Sequence, residues 1–504
     1  MNRLKNSFNN IIYGICFKMT RTLMPFVIRS IIIYELGTEY AGLDSLFISI
    51  LQVLSLAELG FGSAIVFSMY KPIAESNKSL VCALLNYYRK IYIVIGSIIL
   101  GVGLSALPFL KYIIKNGYPD SINIYFLYII YLLNTVSSYF LYAYSQSLLN
   151  ALQRSDIVNK IQLIINITIY IFQIVVLLTT QNYYFYTILM LIGTILINVI
   201  SNIVTVKKYN YYSCTGTLST EDKKSIISNT KSLIGHKISG VILNSADNIV
   251  ISCFLGLTAV TLYSNYFYVI SGVAAILSVC FEAITASIGN SIVLENNEKN
   301  YHDFILFSDL SDWIIGVCCV CLVGMYQTFM SIWVGKNLLL PTMTVFLFIV
   351  YFYFNIVRKM TLTYKDAIGM WWADFWKPYA GAASNIILNI ILVRSIGLNG
   401  VILSSIFSMA FISLPWGAKV LHKFYFKKSL KVYYSKLLFH LMLTIIACAF
   451  TVIIEFHISS AGFKGLLLRG GLCIIIGNIV FGTGYAFSHE LTTILQFAGK
   501  LFHI

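Results

Sequence analysis

Charge is scarce in this chain. Of 504 residues, 11% are Asp, Glu, Lys or Arg and 58% are hydrophobic, too little polar surface for a water-soluble fold of this size. Acidic residues are scarcer than basic ones, 20 against 35, giving a net charge of +15. In a soluble domain that balance would point to nucleic acid. No loop here is long enough to fold into a basic, aromatic-bearing module, so nucleic acid is not an expected partner. A leader is not expected: MNRLKNSFNN runs into a long apolar segment, with no short apolar region and small-residue cleavage site. The ten cysteines show no metal-ligand spacing. Most sit inside apolar runs (Cys16, Cys253, Cys280, Cys448, Cys473), and Cys318, Cys319 and Cys321 have no His or acidic residue at ligand distance. They read as small packing residues, so no disulfide, metal or cofactor is expected.

What the chain has is apolar runs long enough to cross a bilayer, about 20 residues each. Cutting at charged and turn-forming clusters gives about fourteen, near residues 9–33, 42–70, 86–113, 122–150, 158–180, 183–206, 226–254, 257–289, 304–332, 339–358, 379–397, 399–420, 435–456 and 466–488. None alternates as a barrel strand would, and lipid cannot satisfy an open backbone. The expected fold is an all-α polytopic membrane protein. Basic residues gather on one side of these spans: Arg3 and Lys5, Arg89 and Lys90, Lys207 and Lys208, the stretch Arg358 to Lys377, and the loop 422–436. The positive-inside rule then places both termini in the cytoplasm.

The chain also resembles itself. Leu36-Gly37 ends the first span and Leu255-Gly256 the seventh, each followed by a short polar link into an aromatic-rich span. Asp156 and Asp374 stand just before the fifth and eleventh spans. Such repeats mark pseudo-symmetric bundles. The expected organisation is two six-helix lobes, 1–210 and 211–421, followed by a basic loop and two further helices at 422–504.

The first span carries Lys18, Arg21 and Arg29. At 100° per residue they fall within about 80° of one another, a stripe rising about 16 Å. A cation facing lipid costs several kcal/mol, so the stripe is expected to face protein or water. The seventh span has its own polar face, with His236, Ser239 and Asp247, and Lys231 and Lys237 add charge. Guanidinium groups in a basic cavity suit phosphate or pyrophosphate through bidentate hydrogen bonds; a structural Arg29–Asp247 ion pair is the alternative. Glu58 and Glu282 are intramembrane carboxylates, suited to ion coupling or to pairing with an arginine. Asp309 and Asp312 are expected near the cytoplasmic mouth, in contact with solvent.

LGTEYAGLDSLFISILQVLSLAELGFGSAIVFSMYKPIAE (36–75), NSADNIVISCFLGLTAVTLYSNYFYVI (244–270) and DAIGMWWADFWKPYAGAASNIILNIILVRSIGLNGV (366–401) resemble bacterial polysaccharide repeat-unit flippases. These form the Wzx-like branch of the multidrug/oligosaccharidyl-lipid/polysaccharide (MOP) exporter superfamily, and the likeness extends over nearly the whole chain. It implies alternating access and movement of undecaprenyl-pyrophosphate-linked oligosaccharide from the inner to the outer leaflet of the bacterial cell membrane, for capsule, exopolysaccharide or O-antigen synthesis. It implies membrane lipid and components of the polymerase machinery as partners. It also implies cavity roles for Arg21, Arg29, Lys231 and Lys237. Asp247 stands where some relatives carry a basic residue, which breaks a symmetric cationic clamp. Two other classes compete. A membrane polysaccharide polymerase or glycosyltransferase would need a large external loop or an Asp-x-Asp pair, and neither is present. A cation-coupled small-molecule exporter would meet a net basic interior, which repels cationic substrates. The expected protein is a transporter and not an enzyme.

Overall fold

The computed structural model describes residues 3–58, 60–370, 372–455, 462–488 and 490–502. The side chains of residues 3–9, 11, 225, 228–237, 239, 244, 283, 286, 455, 495, 497, 498 and 500–502 lie outside the described set. All the regular structure in the described residues is helical. The first half comprises α1 (Arg3–Glu35), α2 (Thr38–Leu54), α3 (Phe61–Ala74), α4 (Lys78–Ser105) and the short α5 (Leu110–Ile113). It continues with α6 (Ile124–Phe140), α7 (Ala143–Ala151), α8 (Ser155–Thr180), α9 (Tyr183–Lys208) and α10 (Thr220–Leu255). Then come α11 (Leu257–Leu294), α12 (Asn297–Trp333), α13 (Thr342–Ile368), α14 (Lys377–Ile396), α15 (Leu398–Phe407) and α16 (Leu414–Val420). The chain closes with α17 (Leu430–Glu455), α18 (Gly462–Phe487) and α19 (Leu491–Phe502).

Eleven of these segments are long and apolar enough to cross a membrane, twelve if the bent pair α6 and α7 is one span. α1 and α10, the first and seventh expected spans, are helical throughout but contain residues outside the described set and are not among the eleven. The protein is therefore an all-α, multi-pass membrane protein, as composition requires. α19, an additional helix after the last span, was not legible in the hydropathy.

Helix ends follow local chemistry. The side chains of Asn77, Asn123, Asn182, Ser219 and Asn296 each accept a bond from a backbone N–H in the first turn of the following helix. The repeated Leu-Gly pairs do the same work in both halves. Gly37 (φ 114°) and Gly256 (φ 89°) take a backbone conformation closed to other residues and let α1 turn into α2 and α10 into α11.

Packing divides the chain into two compact units, residues 1–261 and 262–504. In the first, α1 lies along α8, α6 and α8 flank α9, and α10 packs on α2 and α3. In the second, α12 is the hub: α13, α17 and α18 all lie against it. Gly316 permits the closest of these approaches, since a Cβ there would meet the Phe481 ring at 2.3 Å. These units follow packing; the expected division at 210 and 421 follows the repeat, a different criterion.

Candidate functional site

The cationic stripe on α1 splits in two. Lys18 and Arg21 are exposed, and neither side chain makes a hydrogen bond or ion pair to a described residue. Arg29 is 5% exposed. Its Nη1 donates to Ser45 Oγ at 3.0 Å and to Ala41 O at 3.5 Å, and its Nη2 to Thr261 O at 3.5 Å. These are neutral acceptors on α2 and at the end of the first unit. Asp44, one turn along α2, is within electrostatic reach of Arg29 and accepts the Tyr131 hydroxyl at 2.5 Å. Tyr131 in turn meets the Tyr183 hydroxyl at 2.9 Å.

α10 and the start of α11 join the same polar layer. Asn248 Nδ2 donates to Ser49 Oγ at 2.9 Å, Ser245 Oγ to Gln52 Oε1 at 2.9 Å, and Thr261 Oγ1 to Thr38 O at 2.5 Å. Asp247, 2% exposed, lies between Ser245 and Asn248 in sequence. Arg29, bonded to α2 and Thr261, and Asp247 on α10 are both buried. Lys231, Lys237, His236 and Ser239 lie on α10, but their side chains are outside the described residues.

Glu58 occupies a break. α2 tightens into a 3-10 turn at Ser55–Glu58, and Gly60 turns left-handed before α3 begins. Tyr92 donates to Glu58 Oε1 at 2.5 Å and Tyr139 to Oε2 at 3.3 Å. Tyr88 stacks on Tyr92 with centroids 4.1 Å apart, and its hydroxyl receives Ser147 Oγ at 3.0 Å. No cation among the described residues bonds this carboxylate. Sequence reasoning singled out Glu58 but had no way to find the three tyrosines, which come from 30 to 81 residues away.

The aspartates expected before the fifth and eleventh spans are both ion-paired. Asp156 receives Arg154 in a two-pronged bond, at 2.9 and 3.0 Å. That hydrogen bonding holds the Arg154 guanidinium above its ordinary pKa. Asp374 binds Lys365 Nζ at 2.5 Å and also Lys377, all three side chains being buried.

Two expectations need correction. Asp309 and Asp312, expected in solvent, are 1% and 6% exposed. Asp309 binds Lys436 at 2.7 Å, and His440 Nδ1 meets Asp312 at 2.9 Å. Tyr485 meets His440 Nε2 at 2.7 Å, and Lys436 also reaches Glu490 at 2.8 Å. The cause is tertiary: α17 and α18 dock on α12 and bring a cation, an imidazole and a phenol to two carboxylates. The tenth span does not stop at 358 either. α13 continues to Ile368, so Arg358 and Lys359 lie well inside the helix and not at its end. Helical periodicity persists through Thr361–Lys365, and that signal was available in the sequence.

Glu282 is exposed on α11, within electrostatic reach of Lys359. Beside α12 and α13 runs a groove of about 520 Å³ lined by Val323, Phe346, Ile349, Tyr353, Cys448 and neighbours, almost wholly apolar. A second pocket shares Val323, Phe346 and Ile349 with it and includes Thr328 and Arg469, which are hydrogen-bonded at 3.1 Å. Among the described residues no group of three His, Cys, Asp or Glu is placed to hold a metal ion.

Comparison by sequence returns no matching family model and no matching curated protein. Comparison by structure does. The lipid II flippase MurJ in an inward closed conformation superposes with a TM-score of 0.67 at 18% identity, over 96% of this chain and 100% of that one. An inward-facing multidrug resistance MATE family transporter of the MOP superfamily gives 0.63 at 15%, over 81% and 96%. A MOP superfamily transporter from Pyrococcus furiosus, described as having a binding pocket of reversed polarity, gives 0.52 at 14%, over 84% and 97%. At such identities the likeness carries the fold: this chain is folded as MurJ and the MATE transporters of the MOP superfamily are.

Proposed function

We propose that this protein is a MOP-type transporter of the bacterial cell membrane. It moves undecaprenyl-pyrophosphate-linked oligosaccharide repeat units from the inner to the outer leaflet by alternating access of two six-helix lobes. The observation that carries the reading is the end-to-end likeness to a lipid II flippase, over 96% of this chain. The sequence resemblance to repeat-unit flippases narrows the substrate from a lipid-linked precursor to a lipid-linked glycan. A pyrophosphate and a hydrated glycan cannot cross hydrocarbon without replacement of their water. Lys18 and Arg21, exposed on α1 without an ion pair to a described residue, are the cations we assign to the pyrophosphate, with Lys231 and Lys237 on α10. Arg29, buried and bonded to Ser45 and Ala41 on α2, is assigned to holding α1 against α2, with the buried Asp247 as a structural group on α10. The apolar groove beside α12 and α13 has the chemistry of a hydrocarbon chain, consistent with a lipid substrate.

Coupling is assigned to Glu58. A carboxylate held only by phenols can gain a proton or cation without breaking an ion pair, and it sits where α2 is already interrupted. Glu282 is the second candidate.

A cation-coupled small-molecule exporter is the competing reading, favoured by the MATE likeness at a TM-score of 0.63. Translocation of lipid-linked oligosaccharide in inverted membrane vesicles decides between them. Movement of the glycan to the vesicle interior, lost in Arg21→Ala and partly retained in Arg21→Lys, supports the flippase. Export of a small amphipathic dye with no glycan movement establishes the exporter. Glycan polymerisation by the purified protein would overturn both.

A further inference from the structure

Arg358 and Lys359 are neighbours on α13, about 14 to 15 Å from its C-terminal end. Both are half-buried. Arg358 donates from Nη1 to Ser413 Oγ at 3.1 Å, from Nη2 to Asn355 Oδ1 at 2.9 Å, and from Nε to Asn355 O at 3.4 Å. Every one of these acceptors is neutral. Lys359 makes no hydrogen bond or ion pair to a described residue. Arg358, Glu282 and Asp366 are the charges within its electrostatic reach.

The rest of α13 and its neighbours are treated differently. Lys365 and Lys377 share Asp374, and Lys436 has both Asp309 and Glu490. Cations inside an apolar helix bundle are costly unless a carboxylate or water compensates them. Arg358 and Lys359 have no such bond to a described carboxylate, an arrangement suited to an anion that comes and goes.

The geometry of the guanidinium agrees. Arginine has five N–H donors, and Arg358 uses one each on Nε, Nη1 and Nη2. One donor remains on each Nη nitrogen, and two such donors on one guanidinium can serve the oxygens of a phosphate. The acceptor that sets the orientation, Ser413, closes a π-helical turn at Ser408–Ser413. Such a turn inserts an extra residue and shifts the side chains beyond it out of α-helical register, which is how this hydroxyl meets Arg358.

We propose that Arg358 and Lys359 form an anion site in the second unit for the phosphate groups of an amphiphilic, prenyl-linked substrate. Arg358 supplies a directed fork and Lys359 a mobile point charge, while Asn355 and Ser413 position the fork. This rests on the lipid-linked substrate class given above and adds a site on α13 to the cations of α1 and α10.

The test uses the full-length protein in detergent and three probes: farnesyl pyrophosphate, farnesol and inorganic pyrophosphate. Unaltered protein is expected to prefer farnesyl pyrophosphate over farnesol, with affinity falling as salt rises. Lys359→Gln, which breaks no bond in the protein, and Arg358→Gln should each weaken farnesyl pyrophosphate binding about tenfold and leave farnesol unchanged. Lys359→Arg should stay within about threefold of the unaltered protein. Binding of inorganic pyrophosphate alone, equal in the Gln variants, would overturn the site. So would farnesyl pyrophosphate binding that is equally tight in both Gln variants, although the transport reading would then stand. No preference of the unaltered protein for the pyrophosphate over the alcohol would overturn the site and the lipid-pyrophosphate reading together.

Discussion

Tyr92 donates its hydroxyl to Glu58 across 2.5 Å, from α4 to the point where α2 is interrupted. Tyr92→Phe removes that donor while keeping the ring stack with Tyr88. It should cost about 1–3 kcal/mol, because a half-buried carboxylate loses a hydrogen bond, read as a lower unfolding temperature in detergent. Glu58→Gln keeps an acceptor for Tyr92 and should lose less. If Glu58 carries the coupling ion, Glu58→Gln nevertheless abolishes ion-driven transport. A Gln variant with normal ion-driven transport would remove Glu58 from that role.

Arg29 and Arg21 share a stripe in sequence and differ in the fold. Arg29→Ala leaves Ser45, Ala41 O and Thr261 O without their charged donor and should destabilise by about 2–4 kcal/mol. Arg21→Ala should leave thermal stability within about 0.5 kcal/mol and slow translocation in vesicles. Equal stability loss in both would return the whole stripe to a structural role.

Asp374 stands between two lysines, and its removal strands both. Asp374→Asn should cost about 3–5 kcal/mol, the range for breaking a buried ion pair from one side. The exposed Lys71–Glu75 pair, 3.8 Å apart on α3, provides the contrast: Lys71→Ala should change stability by less than about 1 kcal/mol. Paired melting curves of the two variants make the comparison.

Gly256 combines a positive φ with crowding, since a Cβ there would lie 2.9 Å from Lys115 O. Gly256→Ala should destabilise by about 1–3 kcal/mol. Gly101, inside α4 with nothing within 4 Å of its Cβ position, should tolerate Ala and gain up to about 1 kcal/mol. Expression level and unfolding temperature of the two variants test the difference.

The sequence by itself determined the helices, because an apolar run in lipid can satisfy its backbone only by coiling, and that rule needs no distant residue. It also determined the turning points: Leu36-Gly37 and Leu255-Gly256 act through φ alone. Glu58 was visible as a charge out of place, and Asp156 and Asp374 as matching positions before the fifth and eleventh spans. The extent of α13 was misjudged because Arg358 and Lys359, weighed each by its own solubility, look like the end of an apolar run. What only the tertiary structure decided is which charges are matched. Asp309 and Asp312 are buried because Lys436 and His440 arrive from more than 120 residues away, whereas Arg358 and Lys359 receive no bond from a described carboxylate. Charge compensation is a property of pairs brought together by packing, and one-dimensional order does not carry the distance between them.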